Sequence, residues 1–225
     1  MPDSTEHAAP APNGLTEAAL DLAATEKQPE LGRKRPKPGE RRAQILQTLA
    51  SMLEQPGAER ITTAALAASL QVSEAALYRH FASKAQMFEG LIEFIESSVF
   101  TLVNQIVDRE ASGLTQAQRI VSVLLQFGER NPGMARVMVG DALVFENERL
   151  VQRMNQFFDR IESSLRQSLR LAAEAGGSAT PTVLANMQAS VLVSFVLGRL
   201  QRYARSGFKR LPTEQLDSAL RILVS

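Results

Sequence analysis

Residues 62–84 read TTAALAASLQVSEAALYRHFASK. The chain has only two tyrosines and two histidines, and this stretch sets one of each beside an arginine, as Tyr78-Arg79-His80. The spacing predicts two short helices joined by a tight turn at Gln71-Val72. Thr62 opens the first, its hydroxyl placed to cap free N–H groups. Ser73 caps the second, with Val72 before it and Leu77 four residues on as a hydrophobic staple. At 100° per residue Leu77 and Phe81 share the face that packs inward, with His80 nearer that buried side. Ala75 and Arg79 lie almost opposite, and Tyr78 sits about a quarter-turn around. Two short helices after a longer one outline a helix-turn-helix, whose outward surface meets a duplex through phosphate and base-edge contacts.

The flanking sequence supports this reading. Residues 1–32 carry six acids and one base, Lys27, in an Ala/Pro/Thr-rich stretch with few large apolar residues, which predicts disorder. The sign then flips: Arg33, Lys34, Arg35, Lys37, Arg41 and Arg42 stand against one acid, Glu40. Such a run reads either as a solvated linker or, leading into a helix-turn-helix, as an arm tracking phosphates. Ile45, Leu46, Leu49, Met52 and Leu53 then form one apolar stripe at helical spacing, ended by Pro56-Gly57.

Everything beyond about residue 39 reads as helix, so the fold class is all-α. Residues 84–106 carry a broad stripe from Met87 to Ile106, with Phe94 off its centre as core packing or as an anchor for an extended peptide. FGERNPG (127–133) reads as a helix end in which Gly128 loosens the last turn and Asn131-Pro132-Gly133 starts another helix. Arg130 there suits either a helix C-terminus or an acidic peptide. The stripe Leu150, Met154, Phe157, Ile161, Leu165 and Leu169 mimics a short coiled coil but reads as internal packing. Thr180-Pro181 opens a further helix by cap and first-turn proline.

Composition excludes several classes. With no cysteine there are no disulfides or thiolate metal sites. No cofactor or metal is expected, and no catalytic residues, because neither a Gly-rich phosphate loop nor a metal-spaced cluster is found. No apolar run approaches the roughly 18 residues a membrane span needs. The net charge of +1 is uninformative by itself.

ITTAALAASLQVSEAALYRHFASK resembles the DNA-binding domain of the tetracycline-repressor (TetR) family. Together with RITTAALAAS, LIEFIE, FGERNPG and ALVFE, the resemblance narrows to the nucleoid occlusion factors of Gram-negative bacteria. It implies a homodimer that binds near-palindromic DNA sites scattered over the chromosome, cytoplasmic and nucleoid-associated, with higher-order assembly on DNA left open. It also implies antagonism of the tubulin-like division GTPase FtsZ. Carried over, the DNA contacts are Arg41, Arg42, Thr62, Thr63, Ser73, Glu74, Ala75, Tyr78, Arg79, His80 and Lys84. Phe94, Arg130 and Asn131 would line the groove for the GTPase C-terminal tail. Ala65, Ala82, Leu102 and Gln126 depart from the pattern. The implied organisation is an extension over 1–37, a DNA-binding domain over 38–99 (motif 62–81) and a regulatory and dimerisation domain over 100–225, with 181–206 and 213–224 at the dimer interface. A ligand-responsive repressor of the same family, with a pocket between helices four and seven, is the alternative.

Overall fold

The computed structural model describes residues 39–55 and 60–224. The acidic stretch, most of the basic arm and the Pro56-Gly57 helix end lie outside the described residues. Within them the chain is helical, without a strand. Helix α1 spans Glu40–Leu53, α2 Thr63–Ser69, α3 Glu74–Tyr78, α4 Lys84–Arg109 and α5 Gly113–Arg130. Then come α6 Pro132–Met138, a 3-10 turn at Asp141–Leu143, α7 Glu148–Ala175, α8 Pro181–Arg205 and α9 Leu216–Leu223.

The apolar stripes decide the packing. Ile45, Leu49 and Leu53 of α1 are buried with Leu66 of α2, Leu77 of α3 and Phe81, which closes a small core against the start of α4. From Met87 onward α4 buries residues along its whole length, including Ile95, Val99 and Leu102. It therefore carries one continuous core from the helix-turn-helix into the bundle and runs unbroken through residues 99 and 100. The six stripe positions of α7 are all buried, and α7 packs along α8 and against α5.

Two helices correct the expectation about apolar stretches. By length and composition α4 and α8 could cross a membrane, with mean hydropathy of 1.3 and 1.5 over their most apolar windows. Counting consecutive apolar residues missed them because scattered polar residues break the runs, while the many Ile, Leu, Val and Phe between them keep the mean high. Both are packed in the bundle, α4 on several sides and α8 along α7 and α5. Thr180 likewise differs from expectation: its side chain makes no capping bond, and α8 starts on Pro181 alone.

FGERNPG is the corner joining the helix-turn-helix to the bundle. Gly128 does not loosen α5; it lies buried within the last regular turn, where a Cβ would stand 2.4 Å from Leu200 Cδ2 of α8. At Gly133 a Cβ would stand 2.1 Å from the Ala50 carbonyl oxygen of α1. Hydrogen is the only side chain that lets α6 lie on the α1 backbone. Because that neighbour is main chain and cannot swing away, Gly133→Ala should lose about 1–3 kcal/mol of stability. Urea unfolding of the variant, with helicity as the probe, measures this directly.

Candidate DNA-contact surface and peptide groove

The helix-turn-helix is assembled by local chemistry. The Thr62 hydroxyl accepts the Ala65 N–H at 3.1 Å, and the Ser73 hydroxyl accepts the Ala76 N–H at 3.3 Å. Each cap is worth about 1 kcal/mol, a large share of what holds a five-residue helix. Between them Gln71 adopts left-handed backbone, φ 55°. Thr63 donates to the Glu74 carboxylate at 2.6 Å, tying the starts of α2 and α3 together. The Arg42 guanidinium lies 4.1 Å from the Phe81 ring centroid and donates to the His80 carbonyl at 2.9 Å, pinning α1 to the end of α3. Arg41 donates to Gln44.

What remains outward is Ala75, Tyr78 and Arg79, all exposed, with Tyr78 45% accessible. His80 corrects the helical projection, for it is exposed rather than turned inward. The cause is the length of α3, which ends at Tyr78. The His80 N–H bonds back only three residues, to Leu77, so His80 leaves the 100° track. Ala65 and Ala82 are also exposed.

Lys84 opens α4 above the Ser83 cap, but its ammonium is paired with Glu146, 62 residues away in sequence. This is the first rung of a ladder between α4 and the start of α7. Arg149 meets Glu89 at 2.6 Å, and Arg153 grips Glu96 through two bonds of 2.6 and 3.2 Å. The Glu96 carboxylate, against a smaller opposing effect of burial, holds the Arg153 guanidinium above its ordinary value. Sequence reasoning could not find Glu146, because its partner lies far off in sequence.

Helices α4 and α5 are joined by three residues and so run antiparallel. This brings Phe94 beside Phe127, ring centroids 6.3 Å apart. Phe94 is half-buried, not fully exposed, and Phe127, the ring it packs on, is fully buried. Arg130 follows one turn after Phe127, exposed and in no ion pair among the described residues. Asn131 is 5% accessible, and its amide donates to the Phe127 carbonyl at 2.9 Å. It shapes the corner from inside. Leu102 is core, while Gln126 is exposed. A cleft of about 310 Å³, at the lower end of the range for ligand sites, lies between α4, α5 and α7. It is lined partly by Gln116 and Ser168, which bond each other at 2.8 Å.

A capped helix-turn-helix carried on a helical regulatory bundle is the architecture of the tetracycline-repressor class. PfmR of Thermus thermophilus superposes with a TM-score of 0.66 at 19% identity, over 81% of this chain and 95% of that one. The ketosteroid regulator KstR2 of Mycobacterium tuberculosis gives 0.64 at 20%, over 84% and 95%. Residues 45–91 match the family of bacterial regulatory proteins of the tetR type, and 111–225 match the SlmA-like C-terminal domain of tetracyclin repressor-like proteins. The nucleoid occlusion factor SlmA of Vibrio cholerae is 54% identical over 178 residues, 79% of this chain and 90% of that protein. SlmA of Idiomarina loihiensis is 50% identical over 186 residues, 81% and 93%. The chain belongs to the SlmA family.

The corner under the groove holds a pair of partly buried acids. Burial pushes the Glu54 carboxyl up from its ordinary value, against a hydrogen bond from the Gly133 N–H. Burial, then the charges of Glu129 and Glu54, push the Tyr203 hydroxyl up to about 12, and that hydroxyl donates to the Glu129 carbonyl at 2.9 Å. The raised Glu54 value means the native state holds this proton more tightly than the unfolded chain. Its contribution to stability is complete below 4.5 and is lost as pH rises through the raised value. Glu54→Gln keeps an oxygen for Gly133 and removes the buried charge. It should therefore be more stable than the parent chain at neutral pH, with the advantage vanishing in acid, as thermal melts across pH will reveal.

Proposed function

We propose that this chain is a DNA-binding nucleoid occlusion factor. As a homodimer it occupies near-palindromic sites scattered over the chromosome, and while bound it antagonises polymerisation of the division GTPase FtsZ without catalysis of its own. The observation that carries this reading is the family membership. Chains half identical over four-fifths of this sequence bear the name nucleoid occlusion factor, and the matched span includes both the helix-turn-helix and the α4–α5 corner.

Two further features fit. Tyr78 and Arg79 face outward from a helix whose opposite side is core, as a groove-entering element requires. On the bundle, α8 exposes Val183, Leu184, Met187 and Val191 as one apolar row, with open space at Gly198 farther along. A row of that kind on a soluble bundle marks a subunit contact. It lies within 181–206, so a twofold pairing there presents two recognition helices to one site. The GTPase tail is assigned to the surface of Phe94 and Arg130, with Phe127 and Asn131 supporting it from beneath.

A genome-wide binding map tests the whole reading. Dozens of sites spread over the chromosome and depleted around the replication terminus are expected. One or two promoter sites would make the chain a ligand-responsive repressor instead. On the DNA side, Tyr78→Ala should weaken binding roughly tenfold and equally across sequences, by loss of a phosphate contact. Glu146→Gln should strengthen DNA binding a few-fold by releasing Lys84 to phosphate, with a salt slope steeper by about one in a log–log titration. On the groove side, Phe94→Ala should weaken binding of the GTPase tail about 30-fold, as for a central aromatic anchor, with DNA affinity unchanged in a parallel titration.

A further inference from the structure

The segment from Arg199 to Arg210 holds five basic residues and no acid. Arg199 is occupied: it donates to the Glu214 carbonyl at 2.9 Å and lies over the Phe195 ring. Arg202, Arg205, Lys209 and Arg210 are exposed and make no ion pair among the described residues. The two acids beneath them are already engaged, Glu129 by Thr213 and Glu54 by the Gly133 N–H. Four exposed cations against these two partly buried acids still leave an excess of basic groups on this face.

The turn that carries Lys209 and Arg210 is built with care. Phe208 adopts left-handed backbone, φ 62°, a strained state for a bulky residue. It is held by its N–H on the Tyr203 carbonyl and by its ring against Tyr203, centroids 5.1 Å apart. The Ser206 hydroxyl accepts both the Lys209 and the Arg210 N–H groups, at 3.1 and 3.0 Å. These capping bonds and the ring packing offset the strain, so the turn carries the two cations on a fixed backbone.

Position decides the partner. Three residues beyond Arg210, Thr213 grips Glu129, the neighbour of Arg130 at the mouth of the α4–α5 groove. The basic turn thus continues the surface on which the groove ends. A duplex lying on α3 is far away. The end of α3 meets α1 at Arg42, whereas the basic turn meets the other end, where Arg136 lies over Phe208 and donates to the Leu53 carbonyl. Along α1 the stretch from Arg42 to Leu53 separates these contacts by about 16 Å.

We propose that Lys209 and Arg210, in the turn between the two segments assigned to the dimer interface, form a basic rim that receives an acidic segment of the protein whose tail occupies the groove. This rests on the groove reading above. Rim charges act mainly on encounter, by steering an oppositely charged partner, and their effect fades with salt.

The test uses full-length chains carrying Lys209→Glu with Arg210→Glu, checked for parental helicity and dimer mass, binding full-length FtsZ. The association rate should fall about tenfold at low salt and lose most of its salt dependence, while dissociation and affinity for a short duplex stay as in the parent. Unchanged association overturns the inference, and so does a fall in duplex affinity with FtsZ binding intact, which would assign the rim to nucleic acid. Phe94→Ala is run alongside. If it weakens FtsZ binding while the charge reversals do not, the rim fails and the groove stands. If Phe94→Ala has no effect, the groove fails and takes the rim's rationale with it.

Discussion

The structure depends on one close approach of main chain to main chain. At Gly133 the first turn of α6 rests on the Ala50 carbonyl of α1, with no room for a methyl group between them. This contact fixes how the helix-turn-helix sits on the bundle, because the other shared element, α4, is a single helix that could pivot. The same corner turns α5 into α6 through Asn131 and sets Gly128 against Leu200. The groove end, the recognition element and the long α8 helix are thereby referred to one point. A packed seam of this kind does not deform gradually; it holds its register or gives it up.

Electrostatics adds a second constraint, with a different character. Several side chains suited to phosphate are already employed within the fold: Arg42 on Phe81 and His80, Thr63 on Glu74, Lys84 on Glu146. The Arg42 and Thr63 contacts are exposed, so their net contribution is small and a polyanion competes for them at little expense, whereas the part-buried Lys84–Glu146 pair is held more firmly. Tyr78 and Arg79 carry no such prior engagement. The surface thus divides into groups ready at encounter and groups that must first let go of an internal partner.

Much of this was legible in the sequence, and the successes share a cause. The caps at Thr62 and Ser73, the turn at Gln71, and the stripes of α1, α4 and α7 are set by residues within a few positions of one another. The misses are of two kinds. His80 and Thr180 were misplaced because local geometry departed from the ideal: α3 stopped one turn early, and α8 began without its expected side-chain cap. Gly128 was misread, and the partners of Asn131 and Lys84 were not foreseen, because their surroundings come from afar, in Leu200, in the inside of the corner and in Glu146. Periodicity marks which face is buried. It does not say against what.

The apolar row on α8 bears on how the fold behaves when dilute. Val183, Leu184, Met187 and Val191 are left to water by a single chain. If a second subunit covers them, part of the stabilisation of this bundle is a mass-action quantity, growing with the logarithm of protein concentration. A protein of this build carries its own dosage sensor. Scarce copies would be less robust to heat and proteases than abundant ones, so supply and survival of the folded chain rise and fall together.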